Sequence, residues 1–288
     1  MDANLKGVLF FDTETTGLPA KGAKYETDYM DFPHIVSLAW SIDGQEHEYI
    51  VKPNGYVIPQ EVTEIHGISH EYAMEHGVDV ELVLRAFFQD AIDSDFVCAH
   101  NIYFDTSIIK ANVLRSLGKE YYDLYAEVAL DKAKRIDTMM KTIKFVGALY
   151  ANGKPGKFPK LEELYDKLFP GETFKAHDAL EDVRALVRCL PELINLGIIE
   201  LKLKEYKENI PKKSESIIAD YFQNELILAM KKDDEENIVP IKKKFVEVPK
   251  IQFSDTKVEM VLDAKPSQLD NLNKTLEKSN KLLDEDNF

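Results

Sequence analysis

The stretch Val8-Leu9-Phe10-Phe11-Asp12-Thr13-Glu14-Thr15-Thr16-Gly17-Leu18 constrains this chain more than any other. Four consecutive apolar residues read as a buried strand, and the Thr-Thr-Gly that follows reads as its exit turn. Residues two apart on a strand project from the same face, so Asp12 and Glu14 aim two carboxylates into one small volume. Like charges that close are costly unless a cation lies between them. Oxygen-only ligands at this spacing suit Mg²⁺ or Mn²⁺ better than Zn²⁺. An isolated Asp-x-Glu pair also arises by chance as a solvated strand end, so the rest of the chain carries the decision.

A Gly/Lys loop (Pro19 to Lys24) precedes the apolar run Ile35–Ile42, and an Asp43-Gly44 turn leads into Glu48–Val51. This is a hairpin signature that places two antiparallel strands beside the first. Residues 58–76 read as a short helical passage containing Glu61 and His66, and helix-period apolar residues run from Val80 to Ile92. Phe96–Ala99 reads as a fourth strand. It runs into His100-Asn101-Ile102-Tyr103-Phe104-Asp105, with Asn101 as the expected N-cap of a helix through Ile108 to Leu117. Asp105 thus falls in a first helical turn beyond a strand end, where open α/β sheets place their sites. The bland alternative is an Asp favoured by the helix dipole. Lys134–Thr138 offers a brief fifth strand, and a Gly/Pro/Lys loop (Gly153 to Pro159) precedes a helix from Lys160 to Phe169. The last element of this part opens at Ala176-His177-Asp178-Ala179-Leu180-Glu181-Asp182. Asp178 and Glu181 fit a capping box that sets His177 just outside the helix and Asp182 one turn in. Pro191 is expected to kink or interrupt that helix.

With 288 residues, the chain suffices for one large domain and an appendage. The reading assigns residues 1–200 to an α/β domain and 201–288 to a lysine- and acid-rich C-terminal extension. In the extension, 214–232 is expected to be an amphipathic helix and Val239–Val261 an added strand. No window approaches a membrane span of ~20 apolar residues, and no signal sequence opens the chain. With two distant cysteines, Cys98 and Cys189, a reduced, cytoplasmic protein without a membrane role is expected. The net charge of −15 argues against broad coating of a polyanion, though not against an enzyme that grips a few nucleotides through metal ions. Within residues 1–200, 13 of the 20 basic side chains lie between Lys110 and Lys175, which marks that half as the expected phosphate-facing side.

Asp-x-Glu after a first strand, Asn-x-x-Phe-Asp after a later one and His-x-Ala-x-x-Asp opening a C-terminal helix together resemble the DEDDh exonuclease family. Within it they are most similar to the DnaQ-like proofreading 3′–5′ exonucleases, the epsilon-type subunits of bacterial DNA polymerase III. The resemblance covers about residues 5–196. It implies an RNase H-like fold, a mixed five-stranded sheet flanked by helices. It also implies a two-metal hydrolysis of DNA from the 3′ end, releasing nucleoside 5′-monophosphates in replication proofreading or repair. By this resemblance Asp12, Glu14, Asp105 and Asp182 hold two Mg²⁺ or Mn²⁺ ions, with Asp12 bridging, and His177 is the general base. An unperturbed imidazole titrates near pH ~6.5, so the reading predicts a rate that rises with pH through that region. Thr13, Thr15, Leu18, Glu61, His66 and Asn101 fall where such enzymes meet the terminal nucleotide, the threonines through small side chains and backbone N–H groups.

Thr15 follows Glu14 where the oligoribonuclease type carries Met, which favours DNA over RNA. The implied partners are a DNA 3′ end, single-stranded or frayed, and a polymerase or sliding clamp met through the extension. Gln268-Leu269-Asp270-Asn271-Leu272 and Gln223–Leu228 faintly resemble clamp-binding peptides. Three readings compete: an exoribonuclease of the same fold, a non-catalytic replisome adaptor, and an aspartyl phosphatase. The adaptor should have lost a carboxylate, and the phosphatase should carry Asp-x-Asp at the first strand.

Overall fold

The computed structural model describes residues 5–201. The readings for 214–232, Val239–Val261 and the two clamp-like peptides lie outside the described residues.

Five strands form one mixed sheet in the order β3-β2-β1-β4-β5. β1 (Val8–Thr15) is central, flanked by β2 (Ile35–Ile42) antiparallel and β4 (Phe96–Ala99) parallel. β3 (Gln45–Ile50) continues the antiparallel side, and β5 (Arg135–Asp137) the parallel side. This is the expected sheet, with the expected hairpin. Asp43 and Gly44 both adopt positive φ in its turn, the pair of left-handed residues that a tight two-residue connection requires.

β1 and β2 are buried on both faces, so they read as apolar runs rather than alternating ones. Leu9 and Phe11 face one core, with α4 (Val80–Ile92) and α5 (Ile102–Ser116) supplying Phe87, Phe88, Ile108 and Ile109. Val8 and Phe10 face the other, built on α9 (Leu161–Leu168) and α10 (Ala179–Asn195) through Leu164, Val183, Leu186 and Leu190. The result is a sheet between two helical layers. Residues of β1 therefore alternate between two filled cores, and Asp12 and Glu14 share the face of Val8 and Phe10.

Aspartates start α4 and α10. Asp79 caps α4 by accepting from Glu81 N, and Asp178 caps α10 by accepting from Glu181 N. The box at Asp178 is half-made, because the Glu181 carboxylate is taken by Arg184 at 2.7 Å. Asn101 stands at the N-cap position of α5 but its side chain makes no capping bond; its backbone is left-handed, at φ 70°. Pro191 does not interrupt α10, which runs on to Asn195. Leu190 and Leu193, on either side of it, are fully buried, and their burial outweighs the lost backbone bond.

Several elements were not expected: α1 (Tyr25–Asp28) inside the first loop, α8 (Thr138–Val146) after β5, and a π-helical turn at Tyr122–Ala126. The passage 58–76 resolves into α2 (Gln60–His66) and α3 (His70–His76). Among the described residues no helix is long and apolar enough to cross a membrane.

Candidate active site

β1, β4 and β5 run parallel, so their C-terminal ends open on the same edge of the sheet, where such sheets place their sites. β4 pairs with β1 only from Val8 to Phe10. Beyond that point the Asp12–Thr15 half of β1 has β2 on one side and no strand on the other. Asp105, from the first turn of α5, fills the gap. Its Oδ1 accepts from the Thr13 backbone N–H at 3.1 Å and from the Thr13 hydroxyl at 2.7 Å. Both Thr13 donors are thereby committed to Asp105, which differs from the expectation that its N–H is offered to a nucleotide.

Asp12 and Glu14, two apart on one face of β1, meet Asp182 from the first turn of α10. One carboxylate oxygen from each lies within 4.8 Å of the others. The backbone N–H of His177 donates to Asp182 Oδ2 at 3.0 Å and orients it. Asp178 is held between its helix and Lys175, whose Nζ lies 2.7 Å from Oδ2.

The electrostatics follow from this crowding. Burial, reinforced by Asp182, Asp105 and Asp178, pushes the Glu14 carboxyl up to about 8. Burial raises Asp105 to about 7 even though the two Thr13 bonds oppose it. Asp182 also stands at about 7, raised by burial and, more weakly, by Glu162, Asp178 and Asp105, against the His177 N–H. Asp12 is raised well above its ordinary range by burial and by the other three carboxylates. Four acids that resist ionisation together are what a bound dication would relieve. The donor set fits a hard divalent ion such as Mg²⁺ or Mn²⁺: oxygen only, with no thiolate or imidazole in the group.

Apart from Asp43 in the hairpin turn, the described non-glycine residues at positive φ are Asn101 (70°) and His177 (63°). Asn101 is the residue before the helix that carries Asp105, and His177 stands one residue ahead of the cap of the helix that carries Asp182. A side chain held left-handed costs about 1–3 kcal/mol and marks positions fixed by their surroundings. The His177 side chain is exposed.

The other expected contacts are more scattered. Thr15 is buried, and its hydroxyl donates to Gly17 O at 2.7 Å. Leu18 is exposed at the tip of that turn. Glu61 is exposed at the start of α2. His66 is buried at its end, its Nδ1 accepting from Ile68 N at 3.1 Å, which leaves the proton on Nε2 without a protein acceptor among the described residues. No hydrogen bond or ion pair among the described residues ties Leu18, Glu61 or His66 to the carboxylates. Asn101 donates its N–H to Asp137 Oδ1 at 3.3 Å.

Two residues went unread in the sequence. His100 joins three elements: its ring nitrogens meet Thr138 Oγ1 at 2.9 Å and Pro159 O at 2.8 Å. Asp137 caps α8 by accepting from Met140 N and also raises Asp105 by its charge. Both sit at strand-to-helix junctions, and an Asp-Thr after a short strand is a cap signal that reveals α8.

The model of the RNase_T exonuclease family matches residues 9–190, a span that holds all five residues of the motifs. A comparison with curated proteins gave no match. Among solved structures the chain is similar to exonuclease I from Methylocaldum szegediense, at 19% identity and TM-score 0.49, over 83% of this chain and 48% of that one. It is also similar to E. coli exonuclease I in complex with a dT13 oligonucleotide, at 18% identity and TM-score 0.49, over 66% of this chain and 42% of that one. The chain thus spans less than half the length of the exonuclease I chains it matches.

Proposed function

Because the chain belongs to the RNase_T exonuclease family, we propose that it is a metal-dependent 3′–5′ exonuclease that removes nucleoside 5′-monophosphates from a DNA 3′ end. The observation that carries the reading is the convergence of Asp12, Glu14 and Asp182 from two elements, with Asp105 locked beside them by Thr13.

Phosphodiester hydrolysis needs an activated water, relief of charge on the phosphoryl oxygens and help for the departing 3′-oxygen, which a pair of bound divalent ions supplies. Asp12, Glu14 and Asp182 are the residues that would hold the first ion. Asp105 keeps one oxygen on Thr13 and has the other to serve the second, directly or through water. His177, exposed and ahead of α10, is the proposed general base. Its backbone stays anchored to Asp182, so the ring approaches the attacking water without disturbing the ligand. Leu18, Glu61, His66 and Asn101 are proposed to meet the terminal nucleotide. His66 is the best prepared of these, with a buried N–H that has no protein acceptor among the described residues. DNA is favoured over RNA by Thr15, and a role in replication proofreading or repair follows from the resemblance to proofreading exonucleases.

The test uses 5′-labelled single-stranded DNA and a matched RNA, each with Mg²⁺, Mn²⁺ or EDTA, and Asp12→Ala beside the wild type. A metal-dependent ladder shortening from the 3′ end, absent in Asp12→Ala, is expected, with DNA the better substrate. A ladder on RNA alone would transfer the reading to an exoribonuclease. Cleavage of neither would overturn it in favour of an adaptor.

A further inference from the structure

We propose that Tyr103, Met140 and Phe158 form a track along which a single-stranded nucleic acid leaves the carboxylate group. Its bases lie against the two rings and its phosphates meet Lys144 and Lys154. The inference rests on the nuclease reading above and adds the path of the strand.

The three side chains are 64%, 51% and 50% exposed, each a large apolar group open to solvent. They come from three different elements tied together at one place. Tyr103 lies in the first turn of α5, two residues after Asn101, whose N–H is bound by Asp137. Met140 lies in the first turn of α8, its own N–H bound by the same Asp137 oxygen. Phe158 precedes Pro159, whose carbonyl is bound by His100 at the end of β4. Scattered apolar residues on a surface need no explanation. Three carried by segments that hydrogen bonds tie to one another, at the strand ends beside a proposed active site, call for one.

The position also fits. Neighbouring strands lie about 4.8 Å apart, so the β5 end that launches α8 stands about 10 Å from β1, across β4. A strand whose last phosphate sits at Asp12 and Glu14 reaches this patch with its next bases. Glu61 and His66 follow β3, on the opposite side of β1, so the terminal nucleotide and the departing strand have separate sides. The segment bearing Phe158 is built rather than loose. Tyr150 N donates to Lys154 O at 2.9 Å and Gly153 N to Tyr150 O at 2.8 Å, closing a small hairpin.

Charge agrees. Lys144 lies one turn from Met140 on the same face of α8, and Lys154 stands at the hairpin; both are exposed, and neither forms an ion pair with a described residue. Two of the nearby acids are engaged, Asp137 with two backbone N–H groups and Glu163 with Lys157 and the Lys160 N–H, while Glu162 directs its charge toward Asp182 and the carboxylate group. Aromatic rings interleaved with lysines are the arrangement that holds single strands without reading sequence.

The experiment measures fluorescence anisotropy of 5′-labelled oligo(dT) and oligo(rU) with the full chain in EDTA, beside an abasic sugar-phosphate strand of equal length. The proteins are wild type, Tyr103→Ala/Phe158→Ala and the conservative Tyr103→Phe. The double variant should bind base-containing strands at least about ten-fold more weakly, Tyr103→Phe should bind like wild type, and the abasic strand should not distinguish the three. Equal losses on abasic and base-containing strands, or no loss, would overturn the proposal, as would a wild type that binds neither. The cleavage assay answers separately. Binding with the expected pattern but no cleavage would refute the exonuclease reading and leave the track standing.

Discussion

Replacing Glu14 with Gln makes the crowding of carboxylates measurable as a pH-dependent stability. In the metal-free protein Glu14 is pushed from 4.5 up to about 8 by burial and by its acidic neighbours. Between those values the folded chain keeps a proton that the unfolded chain releases, so stability is fully present below about 4.5 and is lost as pH rises through about 8. One such proton is worth about 1.4 kcal/mol per pH unit. For a domain of this size that is a fall of roughly 3–6 °C in Tm per unit. The assay is thermal unfolding in EDTA at half-unit steps from pH 5.5 to 8. Wild type should fall more steeply than Glu14→Gln by about that slope, since the amide has no proton to lose. With saturating Mg²⁺ or Mn²⁺ the wild-type slope should flatten, and the stabilisation added by metal should grow with pH. Parallel slopes for the two proteins without metal, or a metal increment independent of pH, would refute the reasoning.

Thr13→Val deletes the hydroxyl bond to Asp105 while keeping the backbone one, and should cost about 1–3 kcal/mol in urea unfolding. Because that bond lowers the Asp105 pKa, the acidic limb of the activity profile should also move to higher pH, whereas Thr13→Ser should do neither. His177→Gly relieves a left-handed backbone and should gain about 0.5–1 kcal/mol in stability while activity falls about 10²–10⁴-fold; His177→Ala should lose activity without the gain. Lys110 is buried against Glu127 at 2.5 Å and stands over the rings of Tyr25 and Tyr122. Lys110→Ala should therefore cost about 2–4 kcal/mol by chemical denaturation, and Lys110→Met, which keeps the stem, clearly less.

The sheet was legible because its strands are short apolar runs bounded by turn chemistry, as at Val8–Phe11 and Asp43-Gly44. Period two was enough to put Asp12 beside Glu14, and helix start signals were enough to put Asp105 and Asp182 in first turns. Asn101 is of a residue type that suits a cap, but the chain enters the helix left-handed there and the side chain makes no capping bond. At Pro191 the helix is not interrupted, because a local breaker rule does not register the burial of Leu190 and Leu193. The role of Thr13 depends on β4 ending opposite Phe10, a fact of register that no single strand announces. α8 escaped notice because Lys141 and Lys144 dilute its apolar pattern, leaving the Asp137 cap as its clearest mark.

Asp105 completes a ladder that β4 abandons, so one of the site's acids doubles as a structural member of the sheet. A lineage that gave up hydrolysis and kept the scaffold for another use could shed Glu14 at little cost, and would even be relieved of an acid whose ionisation its surroundings resist. Shedding Asp105 would strand a buried N–H and hydroxyl on Thr13 and loosen the end of the central strand. Decay on this frame should therefore begin at Glu14 and reach Asp105 last.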